Sequence, residues 1–464
     1  MMAKKSSIFS FVIVLVCAIS IAFYLKLSPS IPPDEVVGIS LLRKKGGFSY
    51  FVNENGDAVY LSGSDNSMKD IGYDYPPESG KFEAKLNMIE ENGHNFMRLW
   101  TWELTKYKYS SFPDYRYVEP FPWQRTTGSG VALDGRGKFD LTKFNQSYFD
   151  RLRSRVVQAG EKGIYVSIML FEGHGPQFSE RPWCWDGHPF NFRNNVNNVG
   201  RGIDESDGRG TEIHTLADPS VTSVQEAYVR KVIDTVNDLD NVLYEIANEA
   251  GVYSTEWQYH MIEYIKDYER TKPKQHPVGM SWQWRGGTNV ELFNSPADWI
   301  SPIGSAYRSN PPVPDGRKVI IPDTDHLWGG TYVREGVELN RAWVWKSFCR
   351  GLNPALLDYS QDELIDVRAN MGYTVSYSKR IDLNNAIFSL TKYSITNEGE
   401  EYLVYLPTGG SHTVDLSHAS GNLRVEWFNP DNGKKVSGGT VSGGGSKSFT
   451  PPFSGDAVLF IWKE

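Results

Sequence analysis

Apolar positions along the chain follow two spacings. Short strand-like runs lie at 58–63, 95–100, 164–170, 242–248, 277–282, 298–303, 318–323 and 354–358. Between several of them apolar residues recur at helical intervals. Phe144, Tyr148, Phe149, Leu152, Val156 and Ala159 make one such stripe; Val224, Ala227, Tyr228, Val232 and Val236 make a second; Trp257, Met261, Tyr264, Ile265 and Tyr268 make a third. Eight strands alternating with helices over about 300 residues predict an α/β fold, a (β/α)8 TIM barrel. A doubly wound sheet is the competing arrangement, but no glycine-rich phosphate loop follows the first strand. Ahead of the barrel, 48–52 and 58–61 flank an Asn55-Gly56 turn and read as a hairpin. The pattern changes near residue 375. From there short alternating runs, among them 401–406, 423–428 and 456–461, are separated by Gly, Asn and Pro turns and predict a small all-β sandwich. Residues 437–448, five of them Gly, read as a mobile hairpin loop.

The first 30 residues read as an address. Lys4 and Lys5 precede an apolar stretch from Ile8 to Leu25, which fits a secretory signal or a single N-terminal membrane anchor with the rest of the chain outside. The expected organisation is 1–30 signal peptide or membrane anchor, 31–378 barrel and 379–464 β-sandwich, in a protein that is extracellular, either secreted or anchored. With 464 residues, 40% hydrophobic and 22% charged, the chain has the balance of a globular protein with a large core. Net charge is −8 and no basic stretch stands out, so no nucleic acid partner is expected. Cys17 lies in the apolar leader; Cys184 and Cys349 are either one disulfide or two buried thiols. Fourteen Trp residues suit a cleft for flat, weakly polar ligands such as sugar rings.

Candidate chemistry gathers at strand ends. The apolar run 241–249 ends Asn248-Glu249, and alternation along a strand would point Glu249, Ala247 and Glu245 into the barrel. Three strands later, 318–326 places Asp323 and Asp325 at the end of the seventh strand, across the mouth from the fourth. Two carboxyls flanking a cleft suit glycosidic cleavage: one protonates the leaving oxygen, the other attacks the anomeric carbon or activates a water. Glu172 and His174 end strand three, and Trp282 and Trp284 end strand five; each is a candidate for substrate contact. Asp65 and Asn66 after strand one, and Glu103 after strand two, are further polar candidates. Two long connections, 103–141 and 172–221, follow strands and carry Trp123, Trp183, Trp185, His188 and His214, which would wall a site. Zinc-protease, serine-hydrolase and phosphate-loop motifs are absent, and no spacing argues for a metal or cofactor.

These strings resemble clan A of the glycoside hydrolases over roughly residues 45–375. Arg98-Leu99-Trp100 on strand two is similar to the clan's inward Arg, which supports the nucleophile. Asn248-Glu249 is similar to its Asn–acid/base pair, and Thr324-Asp325-His326-Leu327-Trp328 stands in place of a Thr-Glu-aromatic motif. The opening hairpin and the tail, with Trp427-Phe428-Asn429-Pro430 and Phe449-Thr450-Pro451-Pro452, resemble apiosidase-like barrels that carry a C-terminal sandwich of the kind named collagen-binding. The resemblance implies a glycosidase that needs no cofactor and cleaves O-glycosidic bonds of an extracellular poly- or oligosaccharide. Glu249 would be the acid/base and Asp325 the nucleophile. Arg98, Trp100, Glu172, His174, Trp185, Asn248, Trp282, Trp284, Asp323, His326 and Trp328 would surround the carbohydrate. Glu245 reads as a structural acid paired with Arg98. The chain departs from the clan in offering Asp for Glu on strand seven. That shorter side chain widens the carboxyl pair from the retaining range toward the inverting one. The retaining outcome is the expectation. The other class of reading is a non-catalytic carbohydrate-binding or surface-adhesion protein on a barrel scaffold.

Overall fold

The computed structural model describes residues 39–65, 81–100, 105–107, 116–179, 182–204, 206–329, 331–358 and 362–463. The leader 1–30, Asn66 and Glu103 lie outside them, as does the side chain of Trp183. Eight parallel strands alternate with helices: β1 (Gly63–Asp65), β2 (Phe96–Trp100), β3 (Tyr165–Glu172), β4 (Val242–Asn248), β5 (Val278–Ser281), β6 (Trp299–Ser301), β7 (Val319–Ile320) and β8 (Ala355–Leu357). β2 to β7 form one six-stranded parallel sheet in sequence order. β8 pairs in parallel with β1. One parallel bridge, Asp323 to Ala355, leads from beyond β7 to β8, and the Asn95 amide donates to the Ser62 carbonyl at 3.1 Å between the approaches to β2 and β1. The sheet is curled: Arg98 on β2 bonds carboxylates on β4 and just past β7.

The helices that cover this sheet follow the apolar stripes. They are α1 (Lys81–Glu91), α2 (Gln146–Glu161), α3 (Pro219–Val236) and α4 (Thr255–Glu269), with α5 (Thr324–Trp328), α6 (Arg341–Phe348) and α7 (Ile365–Ser378) toward the end. Tyr148, Phe149, Leu152, Val156 and Ala159 of α2 are buried, as their spacing predicts. Asp218 caps α3, its carboxylate accepting from the Ser220 and Val221 amides with Pro219 in the first helical position. At the N-terminal ends of the strands, Phe96, Tyr165, Leu243, Trp299, Val319 and Ala355 form one buried cluster with Leu42 and Phe51 of the opening hairpin. Gly279 makes room for Trp299, its neighbour in register: a methyl group there would lie 1.9 Å from the indole. The first parallel strand is shifted from the expected 58–63. Ala58–Val59 pairs within the hairpin, the Leu61 amide donates to the Asn353 side chain at 2.8 Å, and the strand begins at Gly63.

After α7 the chain is all β: β9 (Ile387–Phe388), β10 (Tyr393–Asn397), β11 (Glu401–Leu406), β12 (His412–Asp415), β13 (Asn422–Asn429), β14 (Lys434–Ser442), β15 (Ser446–Phe449) and β16 (Ala457–Lys463). The main sheet runs β9-β10-β11-β16-β13-β14, and β12 pairs with β15. Alternation splits its side chains between two clusters. Leu403, Tyr405, Phe428, Val458 and Phe460 pack against Trp345 and Phe348 of α6 and Tyr377 of α7. Tyr402, Val404, Leu423, Val425, Trp427, Leu459 and Ile461 pack with Val414 and Leu416. The loop expected at 437–448 is instead mostly strand. β13 and β14 pair along their length around a bulge at Val425/Glu426, and Gly439, with φ +76, takes a backbone conformation few other residues adopt.

No disulfide joins Cys184 and Cys349; the two are buried in different clusters, one around the parallel sheet and one beneath the tail. Among the described residues no helix is long and apolar enough to cross a membrane.

Candidate active site

At the C-terminal ends of the strands, one guanidinium organises three side chains. Arg98 Nε and Nη2 donate to the two Glu245 oxygens at 2.9 and 2.6 Å, Nη1 bonds Asp323 Oδ2, and Nη2 lies 3.4 Å from Asn248 Oδ1. Arg98, Glu245, Asn248 and Asp323 are all buried. Ser281 of β5 donates its hydroxyl to Glu245. Burial with paired, hydrogen-bonded partners is the setting in which such charges persist.

Glu249 follows β4 directly and leaves the strand with φ +50, an uncommon conformation for a residue other than Gly. Its carbonyl accepts from Gln177 Nε2 at 2.7 Å, and its Oε2 lies 3.7 Å from His174 Nε2. Burial first, then the charge of Glu172, pushes its carboxyl up to about 8, and Arg98 opposes the shift. Glu172 itself is fully buried, its oxygens accepting from the amides of His174 and Gly175 at 2.8 and 3.1 Å. It thereby fixes the turn that carries His174.

The two strand-seven carboxylates part company. Asp323 is buried, bridges to β8 and caps α5: Oδ1 accepts from the Asp325 amide at 2.9 Å while Oδ2 faces Arg98. Asp325 therefore stands on the first turn of α5, not on a strand beside Asp323, because the Asp323 cap starts a helix there. Asp325 is partly exposed. Burial and then the charges of Glu249 and Asp323 push its carboxyl well above the usual range. The neighbouring charges of Glu249 and Asp323 thus favour the protonated form of Asp325.

His326 is buried on α5. Its Nδ1 bonds the Ser301 hydroxyl at 3.0 Å, its ring stands edge-on to Trp282 at 6.3 Å, and its Nε2 is buried with no partner among the described residues. Burial and the charge of Arg98 lower its pKa to about 3, so it is neutral. Trp282 and Trp284 are both partly exposed. The Trp282 indole donates to the Gly287 carbonyl at 2.8 Å, while Trp284 packs 5.1 Å from His174 and 5.3 Å from Phe178. Trp100 lies beside Arg98, 5.6 Å from its guanidinium, and is buried.

Two of the expected sugar contacts are packed away. Trp328 is 2% exposed, donates to the Val337 carbonyl at 3.0 Å and meets Trp343 edge-on, because α5 turns it into the core. Trp185 is 3% exposed and stacked on His188 inside its own loop, so it offers no face to a ligand. Gln177, Phe178, Ser281 and Arg285 are site residues that the strand-end pattern does not single out. Only Arg285, directly after Trp282-Gln283-Trp284, sits where a sequence signal points. Among the described residues no group of three or more His, Cys, Asp or Glu side chains is placed to hold a metal ion.

A curled parallel sheet with polar side chains gathered at its C-terminal edge is the frame of many enzymes. Among solved structures the chain is similar to one described as "Glycoside hydrolase", with 15% identity, a TM-score of 0.55 and coverage of 92% of this chain and 97% of that one. It is also similar to a glycoside hydrolase family 5 protein from Bacteroides vulgatus, with 14% identity, a TM-score of 0.56 and coverage of 92% and 94%. A "putative glycoside hydrolase" of the same organism matches with 13% identity, a TM-score of 0.60 and coverage of 94% and 84%. At these identities the likeness is one of fold. Two sequence-family profiles match parts of the chain: a "Domain of unknown function (DUF6298)" over 115–284, and a "Putative collagen-binding domain of a collagenase" over 384–461. No curated protein sequence matches.

Proposed function

We propose that this chain is a glycoside hydrolase in which Glu249 is the general acid/base and Asp325 the nucleophile, or the base if the reaction inverts. One observation carries the reading. Arg98 ties the ends of β4 and β7 together, so that Glu249 and Asp325 open on one mouth, where the charge of Glu249 raises the proton affinity of Asp325 and those of Glu172 and Asp323 raise that of Glu249. A raised acid opposite a second carboxylate is the arrangement that protonates a glycosidic oxygen while the other group works on the anomeric carbon. Asp323 suits an anchoring role, since each of its oxygens is already engaged. In this reading β1 to β8 close into a (β/α)8 barrel over 31–378, the residues 379–464 form a sandwich docked on it, and the leader exports the protein to a polysaccharide outside the cell. The glycoside hydrolase fold neighbours support that reaction class.

The test is a reducing-sugar release screen on plant and algal polysaccharides, wild type against Glu249→Gln. The variant is expected to lose about 10²–10⁴ in rate on an unactivated substrate, the usual worth of general acid–base catalysis. Near wild-type turnover would remove Glu249 from the mechanism. Saccharide binding with no cleavage by either protein would favour a binding function.

A further inference from the structure

Arg285 is an exposed cation beside an acidic mouth. It follows Trp284 at the end of the β5 segment with φ +59. Non-glycine residues hold such a backbone only where their surroundings impose it, and they gather at functional sites. Its guanidinium lies 4.3 Å from the centre of the Trp284 ring and 5.0 Å from that of Phe178. Nη1 donates to the Gln177 carbonyl at 3.2 Å. Nε and Nη2 donate to no protein group among the described residues, and no carboxylate pairs with it there. The same supports lead to the acid. Trp284 and Phe178 both pack on His174, which approaches Glu249, and the Gln177 side chain holds the Glu249 carbonyl.

We propose that Arg285 is the charged end of a subsite for a saccharide bearing a carboxylate or sulfate group, a proposal that rests on the glycosidase reading and names its substrate class. The planar fork, whose unclaimed Nε and Nη2 form one edge, matches either anion in a bidentate way. Rings beneath it hold the fork in place, so little freedom is lost on binding. Arg285 supplies at the rim the positive charge that an anionic sugar needs in a mouth otherwise lined with carboxyls. Trp284 then serves as the floor of the guanidinium and not as an open stacking face.

The experiment is equilibrium binding by titration calorimetry with the full chain carrying Glu249→Gln. The probes are polygalacturonate, a sulfated galactan, and their neutral forms, carboxyl-reduced and desulfated respectively. Binding to one anionic polymer and not to its neutralised form is expected, and which polymer binds identifies the anion. Adding Arg285→Gly should weaken that binding about tenfold or more, the scale of a charge-assisted bidentate contact. Glycine suits the left-handed backbone at this position, so the variant should melt no lower than its parent. Arg285→Lys, which keeps the charge without the fork, should fall between. Unchanged affinity on Arg285→Gly, equal binding of the neutral forms, or binding of none of the four polymers would overturn the proposal. The titration reads binding alone. An active Glu249→Gln enzyme with Arg285-dependent binding intact would therefore sink the catalytic assignment and leave this one standing.

Discussion

The Glu249 carboxyl sits between burial and the Glu172 charge, which favour its protonated form, and Arg98, which opposes them; the balance leaves it near 8. An unfolded Glu titrates near ~4.3. The folded chain therefore binds this proton more tightly than the unfolded chain. The resulting stability is complete below about 4.3 and is lost as pH rises through about 8. Gln cannot ionise, so Glu249→Gln should gain on wild type in Tm as pH rises across that window and then level off. A pH-independent Tm difference would show that Glu249 titrates normally. Glu249, Arg98, Glu245 and Asp323 were legible as single residues because charged side chains at the ends of buried strands need partners. Gln177, Ser281 and Arg285 were not, because their roles depend on neighbours brought in by other strands and loops.

Elements were legible where one period dominated. The stripes of α2, α3 and α4 were found because a helix must bury one face, and the strand runs because parallel strands are buried on both. Alternation is a poor guide where a capping side chain competes with it. Strand-like spacing sets Asp323 and Asp325 on one face, but Asp323 accepts from the Asp325 amide and a helix starts. Thr324 then accepts from the Leu357 amide at 2.8 Å, locking that turn onto β8. The same rotation carries Trp328 into the core. The glycines of 437–448 misled in the opposite direction: they read as a flexible loop, yet they serve a bulged strand and the turn into β15.

At the scale of the molecule, residues 38–464 form one compact unit, and the tail is docked rather than tethered. Trp345 stacks on Tyr405 at 6.0 Å, and Tyr377 meets Phe428 and Phe460 edge-on. Arg341 on α6 bonds Asp456 and Asp431 of the tail at 3.0 and 3.1 Å, and Arg380 bonds Glu426 at 2.6 Å. Each large ring uncovered on removing the tail costs about 1.5–3 kcal/mol. A chain ending near Lys379 should therefore melt about 5 °C or more below the full chain; equal melting would mean that the docking adds nothing. The tail's strands were readable from alternation, but their partner surface on α6 and α7 was not, since those helices alone give no sign of which face is left for a sheet. Across the whole molecule the central claim is a reacting pair at the ends of β4 and β7, and anion rescue tests it most directly. Asp325→Gly and Asp323→Gly would be made separately, each checked for an intact fold by its melting curve, and assayed with and without azide or formate. The account predicts that a small anion restores turnover to Asp325→Gly and leaves Asp323→Gly inactive. Rescue of Asp323→Gly alone, or of neither, would contradict it.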